Sequence, residues 1–210
     1  EDYLAALEDL NKDETVHGIL CFRPLPAHID EEIVKYYIDD KKDVDCFSPL
    51  SLAKIMSGDK RGFAPCTPMG VIEILKYYDI DLRGKNVTVL GRSMVVGKPL
   101  SMLLLNRDST VTICHSKSKD LENIVKESDI LVSCMGRAKA VDKSYIKEGA
   151  VVIDVGINFD QEGKMCGDVD TDDVLERVSH ITPVPGGVGS VTSSILARHT
   201  LRACIQLHDL

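Results

Sequence analysis

The segment from Val87 to Leu100, VTVLGRSMVVGKPL, constrains the fold of this chain more than any other. A β-branched apolar run ends at Gly91, and Gly97 precedes a Lys-Pro pair typical of a first helical turn. The segment therefore predicts a strand, a tight glycine turn and a helix N-terminus, an arrangement that binds phosphate through free backbone N–H groups. Its spacing is one residue longer than G-x-G-x-x-G, with Ser93 for the middle glycine, so the surrounding sequence has to support this interpretation.

Strand-like and helix-like segments alternate along the chain after residue 70. This alternation predicts a Rossmann-like α/β fold, a doubly wound parallel sheet with right-handed crossovers and ligands at the carboxyl ends of its strands. The predicted strands are 87–90, 110–114, 130–134, 151–155 and 180–181, and the predicted helices are 71–78, 100–105, 121–126, one near 144, and 191–207.

The upstream segment predicts a second, smaller and truncated α/β domain. Its predicted elements are a helix over 1–12, a buried strand over 16–22, a helix over 31–38 capped by Asp30, and a helix over 50–56. The Gly- and Pro-rich segment 58–68 is a connector, and we place a domain boundary there. The predicted domains are 1–65 and 66–189, followed by a C-terminal helix, 190–210, that packs back on the first domain.

Composition and charge exclude several classes of function. The net charge of −8 disfavours nucleic-acid binding, and no apolar run approaches the roughly 20 residues of a membrane span. The opening EDYLAALEDL is not a signal peptide. Seven scattered cysteines without a C-x-x-C motif predict free thiols in a reducing compartment, the cytoplasm. Cys114 and His115 point to opposite faces of a predicted strand, so we expect no metal site there.

Glycine follows four of the five predicted strands, at the edge where a doubly wound sheet binds its ligand. Either the backbone approaches a ligand closely at these points, or the chain only turns sharply. The five strand-end segments are GRS at 91–93, HSK at 115–117, MGR at 135–137, GIN at 156–158 and PVPGG at 183–187.

The segment after the second predicted strand indicates the cofactor. An NAD enzyme usually has an acidic residue there, which accepts hydrogen bonds from the ribose hydroxyls. This chain has Ser116 and Lys117 instead, and Arg92 stands in the phosphate turn. Because donors and cations suit a 2′-phosphate, we predict NADP, with NAD as the alternative. Lys117 alone is equally compatible with a solvated turn residue.

Seven motifs occur in the order HGILCFRPLP, KDVDCF, PCTPMG, GRSMVVGKPL, VIDVGIN, GDVD and TPVPGGVG. Together they closely resemble the methylenetetrahydrofolate dehydrogenase/methenyltetrahydrofolate cyclohydrolase family, and the resemblance covers nearly the whole chain. It implies two domains with a cleft between them, a homodimer, tetrahydrofolate derivatives as substrates, and a place in one-carbon metabolism and purine biosynthesis.

The resemblance also implies roles for individual residues. It assigns Asp45 to the pterin, whose two-donor edge suits one carboxylate, and it places the folate along Pro185, Gly186 and Gly187. Phe22 stands at the position of a family glutamine beside the catalytic lysine. The resemblance puts Gly91, Arg92, Ser93, Ser116 and Ile157 on the nicotinamide cofactor, flanked by Thr67 and Thr192, and the strand-end argument adds Lys117, Gly136 and Gly156.

The sequence departs from the family pattern at its start. The family's chains extend further upstream and carry a Tyr-x-x-x-Lys catalytic pair there. No residue of this sequence replaces that lysine, and we interpret the Tyr37–Lys41 match to the spacing as chance.

Other departures lie in the loops. Arg23 follows Phe22 where the family has leucine, Cys46 replaces the glycine after the pterin-binding carboxylate, and Ser190 replaces a proline. The departures at Cys46 and Ser190 are expected to shift only loop conformation.

We therefore expect NADP-dependent oxidation of 5,10-methylenetetrahydrofolate to 5,10-methenyltetrahydrofolate. Cyclohydrolase activity is expected to be weak or lost, because Phe22 can neither donate nor accept a hydrogen bond. One alternative is that Phe22 points into the core and the protein is bifunctional. Another is a non-catalytic module that binds cofactor or dimerises. A third, a shikimate-type dehydrogenase, is opposed by Asp45 and the PVPGGVG loop.

Overall fold

A five-stranded parallel sheet forms the centre of the larger part of the chain. The computed structural model describes residues 2–208. The strands in chain order are β1 (Asn86–Leu90), β2 (Thr110–Cys114), β3 (Ile130–Ser133), β4 (Val151–Asp154), β5 (Asn158–Phe159), β6 (Met165–Cys166) and β7 (His180–Ile181). The sheet has the order β2-β1-β3-β4-β7, and β5 and β6 form a separate antiparallel pair.

The strand order reverses beside β1, which has β2 on one side and β3 on the other. In the register of these pairs, Leu90 at the end of β1 lies opposite both Cys114 and Ser133. Ligands of open α/β sheets bind at such a switch point, beyond the carboxyl ends of the strands. The predicted doubly wound α/β fold is confirmed.

The sequences of the strands explain their positions in the sheet. Every residue of β3 (ILVS) and β4 (VVID) is buried, as expected for central parallel strands covered on both faces. The edge strand β2 (TVTIC) buries only Cys114 fully. Thr and Val therefore suffice at the edge, whereas the centre requires continuous apolar residues.

Eight α-helices occur within residues 2–208. They are α1 (Asp2–Lys12), α2 (Glu31–Val34), α3 (Pro49–Ser57), α4 (Cys66–Tyr77), α5 (Gly97–Leu105), α6 (Leu121–Lys126), α7 (Thr171–Val174) and α8 (Gly189–Leu207), and a 3₁₀ turn spans Lys143–Tyr145. Helix α5 packs against β1 and β2. No described helix is long and apolar enough to cross a bilayer.

The chain divides into two compact units. The first comprises Glu1–Cys66 with Ser193–Leu210, and the second comprises Thr67–Thr192. The core of the first unit contains Leu7 of α1, Val34 of α2 and Phe47. The second unit contains the whole parallel sheet.

A buried lysine fixes the carboxyl end of α1 in the first unit. The Lys42 ammonium donates hydrogen bonds to the carbonyl oxygens of Leu10, Asn11 and Asp13, at 3.1, 2.7 and 2.8 Å. These carbonyls have no further helical turn to accept from, and a cation is favourable at this end of a helix. Lys42 therefore secures α1 to the segment that carries Asp43 and Asp45.

Several predicted elements differ from those observed. The predicted strand over 16–22 is wrong: this segment forms only one isolated bridge, between Ile19 and Asp43, and three of its side chains, those of Val16, Ile19 and Cys21, pack in the core of the first unit. The helix predicted over 31–38 ends at Val34, and α4 begins inside the predicted connector. The short elements β5, β6 and α7 were not predicted. The bounds of β2 and α6 are those predicted.

Candidate active site

The glycine turn after β1 has the geometry that the sequence predicts. Gly91 has a φ of 131°, and a Cβ at this position would lie 2.5 Å from the Cys134 carbonyl oxygen. Only glycine fits both that conformation and that approach. The turn is therefore pressed against the end of β3, and Gly97 begins α5 six residues later.

Ser93 shapes this turn from within. Its hydroxyl accepts the N–H of Val96 at 3.0 Å, and its carbonyl accepts the N–H of Lys98 at 3.0 Å. No side chain caps the N-terminus of α5. The first N–H groups of the helix and the positive end of its dipole therefore suit an anion.

Two cations flank the turn and point into solvent. Arg92 is exposed in the turn itself, and Lys117 and Ser116 are exposed after β2. The two loops are neighbours because the N–H of Gly91 donates to the Cys114 carbonyl at 2.8 Å. Within residues 2–208, none of the ion pairs involves Arg92 or Lys117.

A fully buried carboxylate, Asp168, organises the loop after β3. It accepts hydrogen bonds from the Ser133 hydroxyl at 3.0 Å, from the backbone N–H groups of Met135 at 2.6 Å and Arg137 at 2.8 Å, and from the Asn158 amide at 3.0 Å. Donors from two strand-end loops therefore converge on one side chain. The role of Asp168 was not predicted.

A second buried carboxylate, Asp154, closes the loop after β4. It accepts the N–H groups of Gly156, Asp168 and Val169 at 2.9, 3.0 and 2.8 Å. Burial raises the pKa of Asp154, and these three hydrogen bonds act in the opposite direction. A Cβ on Gly156 would lie 2.3 Å from a carboxylate oxygen of Asp168, so Asp168 requires glycine there.

A small cavity of about 70 Å³ lies within the second unit, beside the end of β4. It contains six of the predicted site residues, and Ile157, at 64% exposure, stands at its rim. Its lining comprises Thr67, Asp154, Val155, Gly156, Ile157, Met165 and residues 183–189, which include Pro185, Gly186 and Gly187.

Thr192 and Gly136 are among the predicted cofactor residues that do not line this cavity. The Thr192 hydroxyl donates to the Gly189 carbonyl at 2.9 Å, inside the first turn of α8. Gly136 has a φ of 65° in the loop after β3, with open space where a Cβ would stand. A sharp turn alone therefore explains the glycine at 136.

In the first unit, a buried carboxylate again supports a functional loop. Asp43 accepts the N–H groups of Phe47 and Ser48, both at 2.8 Å, and the Ser51 hydroxyl at 2.6 Å. Burial raises the pKa of Asp43, opposed by these hydrogen bonds. The half-buried Asp45 stands on this loop, and its Oδ1 accepts the N–H of Cys66 at 2.7 Å.

The residue after Asp45 has a conformation that favours glycine. Cys46 has a φ of 57°, in the left-handed region that L residues with a side chain seldom adopt. The loop keeps this conformation although its residue is a cysteine, so the departure at Cys46 does not abolish the turn. Burial raises the pKa of the Cys46 thiol, which is therefore a neutral packing group.

Phe22 is 82% exposed, so the alternative that it points into the core is wrong. The next residue, Arg23, stacks over the Phe47 ring at 5.0 Å and pairs with Glu31 at 3.7 Å. These contacts hold the segment while leaving the aromatic ring of Phe22 free.

The strand-end residues of the second unit fit a nicotinamide dinucleotide. The uncapped start of α5 and the close turn at Gly91 suit its pyrophosphate. Arg92, Ser116 and Lys117 supply cations and donors, and no acidic residue stands at the end of β2. This fold with this set of loops defines a dinucleotide-binding α/β protein.

Comparison with known proteins identifies the family. Residues 65–208 match the family model "Tetrahydrofolate dehydrogenase/cyclohydrolase, NAD(P)-binding domain", and residues 1–45 match its "catalytic domain" counterpart. The chain belongs to the tetrahydrofolate dehydrogenase/cyclohydrolase family. The predicted resemblance and the predicted class of cofactor are thereby confirmed.

Individual relatives are similar over almost the whole chain. The Bifunctional protein FolD of Clostridioides difficile is 64% identical over 204 residues, which are 97% of this chain and 71% of that protein. The crystal structure of bifunctional FolD from Campylobacter jejuni superposes with a TM-score of 0.95 at 42% identity, covering 98% of this chain and 73% of that one. A Trypanosoma brucei FolD complexed with NADP cofactor and inhibitor superposes with a TM-score of 0.89 at 39% identity, with coverage of 97% and 73%.

We predict that Asp168→Asn destabilises the second unit by about 2–3 kcal/mol. The amide replaces one acceptor oxygen by a donor that faces the donors already present, and buried donors then lose their partners. Urea unfolding monitored by far-UV circular dichroism measures the loss.

Asp170→Asn is the matched control, because it removes a nearby carboxylate that makes only a partly exposed ion pair with Lys139, at 3.6 Å. Such a pair contributes about 0–1 kcal/mol. Equal stabilities of the two variants would contradict the role assigned to Asp168.

Proposed function

We propose that this protein catalyses the NADP-dependent oxidation of 5,10-methylenetetrahydrofolate to 5,10-methenyltetrahydrofolate. The observation that carries the proposal is the match of both family domains along one chain, first at 1–45 and then at 65–208. The strand-end loops supply a suitable cofactor site, and Asp45 supplies a carboxylate for the substrate.

The bound nicotinamide would supply a hydride acceptor, and the second unit would bind and orient it. We assign the 2′-phosphate to Arg92, Ser116 and Lys117, because these donors and cations are exposed on adjacent loops and carry no ion pair among the described residues. The Trypanosoma brucei FolD is complexed with NADP in its crystal structure, which supports the same choice of cofactor here. The loops after β4 and β7 would enclose the remainder of the cofactor and the passing folate.

We assign pterin binding to Asp45. Its Oδ1 is held by the N–H of Cys66, and the turn around it is braced by Asp43. A carboxylate held in one orientation can accept two donors from the pterin edge. The protein would thus hold the Asp45 carboxylate in a fixed orientation before the substrate binds.

We propose that cyclohydrolase activity is weak because of Phe22. Water addition and opening of a ring C–N bond require proton transfer, and a correctly oriented lysine serves that purpose. The family glutamine could hydrogen-bond this lysine, whereas an exposed aromatic ring cannot. By resemblance, none of the 210 residues replaces that lysine. Cyclohydrolase turnover would require the lysine, whereas binding of the ligands would not.

We further propose a homodimer in the cytoplasm. The family resemblance supports the dimer. The compartment is supported by all seven cysteines being free thiols, as expected where disulfides are kept reduced.

We predict that the protein binds NADP more tightly than NAD and that Arg92→Ala removes most of the difference. A guanidinium on a phosphate contributes about 1.5–3 kcal/mol, or roughly tenfold to a hundredfold in affinity. Calorimetric titration with both cofactors measures the effect.

Arg83→Ala is the control for the loss of positive charge. Arg83 is exposed in the turn before β1, at the opposite end of that strand. Its substitution should leave both affinities unchanged. Equal affinities for NADP and NAD in the unsubstituted protein would refute the assignment.

We predict that Asp45→Asn weakens folate binding by about 1–3 kcal/mol and leaves NADP binding intact. Asparagine can still accept the N–H of Cys66 but no longer offers a negative acceptor pair to the pterin. Asp40→Asn is the control, because Asp40 stands in the preceding loop and its carboxylate is engaged by Lys54. If folate affinity in Asp45→Asn matches the control, Asp45 is only a loop acid.

We predict that Phe22→Gln, made in a chain that also carries the family lysine, raises the ratio of cyclohydrolase to dehydrogenase rates. Hydride transfer depends mainly on alignment of the reactants and should change little, whereas the added amide can orient the lysine. Tyr36→Gln, which replaces another strongly exposed aromatic residue in the same unit, is the control.

Two outcomes of this assay distinguish the alternatives. A cyclohydrolase rate comparable to the dehydrogenase rate before substitution would show a bifunctional enzyme. Absence of both activities, with NADP binding intact, would favour the non-catalytic binding module.

A further inference from the structure

Three potential metal ligands lie together in the first unit, and none of them is a residue assigned to cofactor or folate. They are His17, Cys204 and His208. The Nε2 atoms of the two histidines are 2.9 Å apart, and all three ligand atoms lie within 4.8 Å of one another. The imidazole rings meet edge to face, with centroids 5.1 Å apart.

Helix α8 supplies Cys204, and His208 directly follows the last residue of the helix. Cys204 and His208 are four residues apart, and the N–H of His208 donates to the Cys204 carbonyl at 3.2 Å. Residues at this spacing lie on the same face of a helix, so both side chains can reach one ion. This C-x₃-H pattern begins 187 residues after His17, so sequence spacing alone does not reveal the cluster.

The segment that carries His17 is held against α8 by close packing. A Cβ on Gly18 would lie 2.8 Å from Val44 and 3.3 Å from the Thr200 hydroxyl, so the backbone beside His17 runs directly along the helix. The N–H of Ile19 donates to the Lys42 carbonyl at 2.7 Å and secures the other side. The three ligands are therefore brought together by the fold and not by a flexible loop alone.

We propose that His17, Cys204 and His208 bind one Zn²⁺ ion, with the fourth position open to water. Imidazole nitrogen and thiolate sulfur are the ligands that zinc prefers, whereas Ca²⁺ and Mg²⁺ require oxygen. With Zn–N of about 2.0–2.1 Å and Zn–S of about 2.3 Å, tetrahedral ligand atoms lie roughly 3.3–3.6 Å apart. The Nε2–Nε2 distance of 2.9 Å is shorter than this value, and no pair of ligand atoms is more than 4.8 Å apart, so small side-chain rotations complete the site.

The fourth coordination position would be open to water because the cluster is exposed to solvent. His208 is exposed, and His17 and Cys204 are half-buried, so solvent reaches the cluster. Without metal, the short Nε2–Nε2 contact is a hydrogen bond in which one imidazole donates to the other. Zinc replaces this bond: the donor imidazole changes tautomer, its proton moving from Nε2 to Nδ1 through solvent, the thiol releases its proton to solvent, and both Nε2 atoms and the sulfur coordinate the ion. The ion then links the segment at residue 17 to the end of α8.

The test is metal binding by the full chain after reduction, chelation and desalting. Competition with a chromophoric chelator measures Zn²⁺ stoichiometry and affinity, and Co²⁺ substitution reports the thiolate through its sulfur-to-cobalt charge-transfer absorption. We expect one equivalent of metal and a charge-transfer band. We also expect Cys204→Ser to abolish the band and His208→Gln to weaken Zn²⁺ binding by more than about tenfold, since even outer-shell partners contribute that much.

Cys166→Ser and His28→Gln are matched controls, because they remove a half-buried thiol and an exposed imidazole outside the cluster. Both should keep the band and the affinity. Circular dichroism confirms that each variant is folded, and the exposed position of His208 makes His208→Gln usable even if Cys204→Ser is not. Failure to bind one equivalent, or an affinity unchanged in His208→Gln, would overturn the proposal.

Discussion

The carboxyl edge of the parallel sheet depends on two buried carboxylates that bind backbone N–H groups. Asp168 joins the end of β3 to the segment at Asn158, and Asp154 joins the end of β4 to the GDVD segment. Loops that leave a sheet here have buried N–H groups without ladder partners, and each unpaired group costs free energy. An ionised carboxylate can accept about four hydrogen bonds, so one side chain satisfies several donors at once.

Burying these carboxylates costs desolvation free energy, but their hydrogen bonds give the strand-end loops a defined conformation. Burial raises the pKa of Asp154, although three N–H donors oppose the rise. Because the folded pKa lies above the unfolded one, the contribution of this group to stability is complete below the unfolded pKa and is lost as pH rises through the folded pKa. Ionisation of Asp154 in the folded protein therefore reduces stability, whereas its hydrogen bonds hold the surrounding loops in a single geometry.

The same device appears in both units. Asp43 accepts hydrogen bonds from the backbone N–H groups of the two residues that follow Cys46, much as Asp168 accepts them from backbone N–H groups after β3. In each unit the buried acid has its hydrogen-bond partners inside the protein, whereas the charged residues that we assign to ligands, Asp45, Arg92 and Lys117, are half-buried or exposed. Arg92 and Asp45 can therefore change partners when a ligand binds without disturbing the loop that positions them.

How much of the structure can be predicted from the sequence depends on whether the interactions join residues that are near or far apart in the chain. Strands such as β2 were predicted to the residue, because β-branched runs between turn residues reflect local chemistry. The 16–22 segment is also rich in apolar residues, yet it forms only the bridge between Ile19 and Asp43, because a strand also needs a partner along its length. The roles of Asp154 and Asp168 could not be predicted, because most of their partners are backbone N–H groups, up to 33 residues away, that look alike in every sequence.

The left-handed residue at Cys46 shows how the two kinds of information combine. Sequence comparison with the family pattern predicts glycine there, and the structure explains the preference by a φ of 57°. A cysteine can occupy the position only if the surrounding bonds outweigh the backbone strain, which is of order 1–3 kcal/mol. The bonds of Asp43 to Phe47 and Ser48 span this turn and are suited to that task. The buried acid thus allows the loop to tolerate a residue that its backbone alone would disfavour, and Asp45 keeps its position.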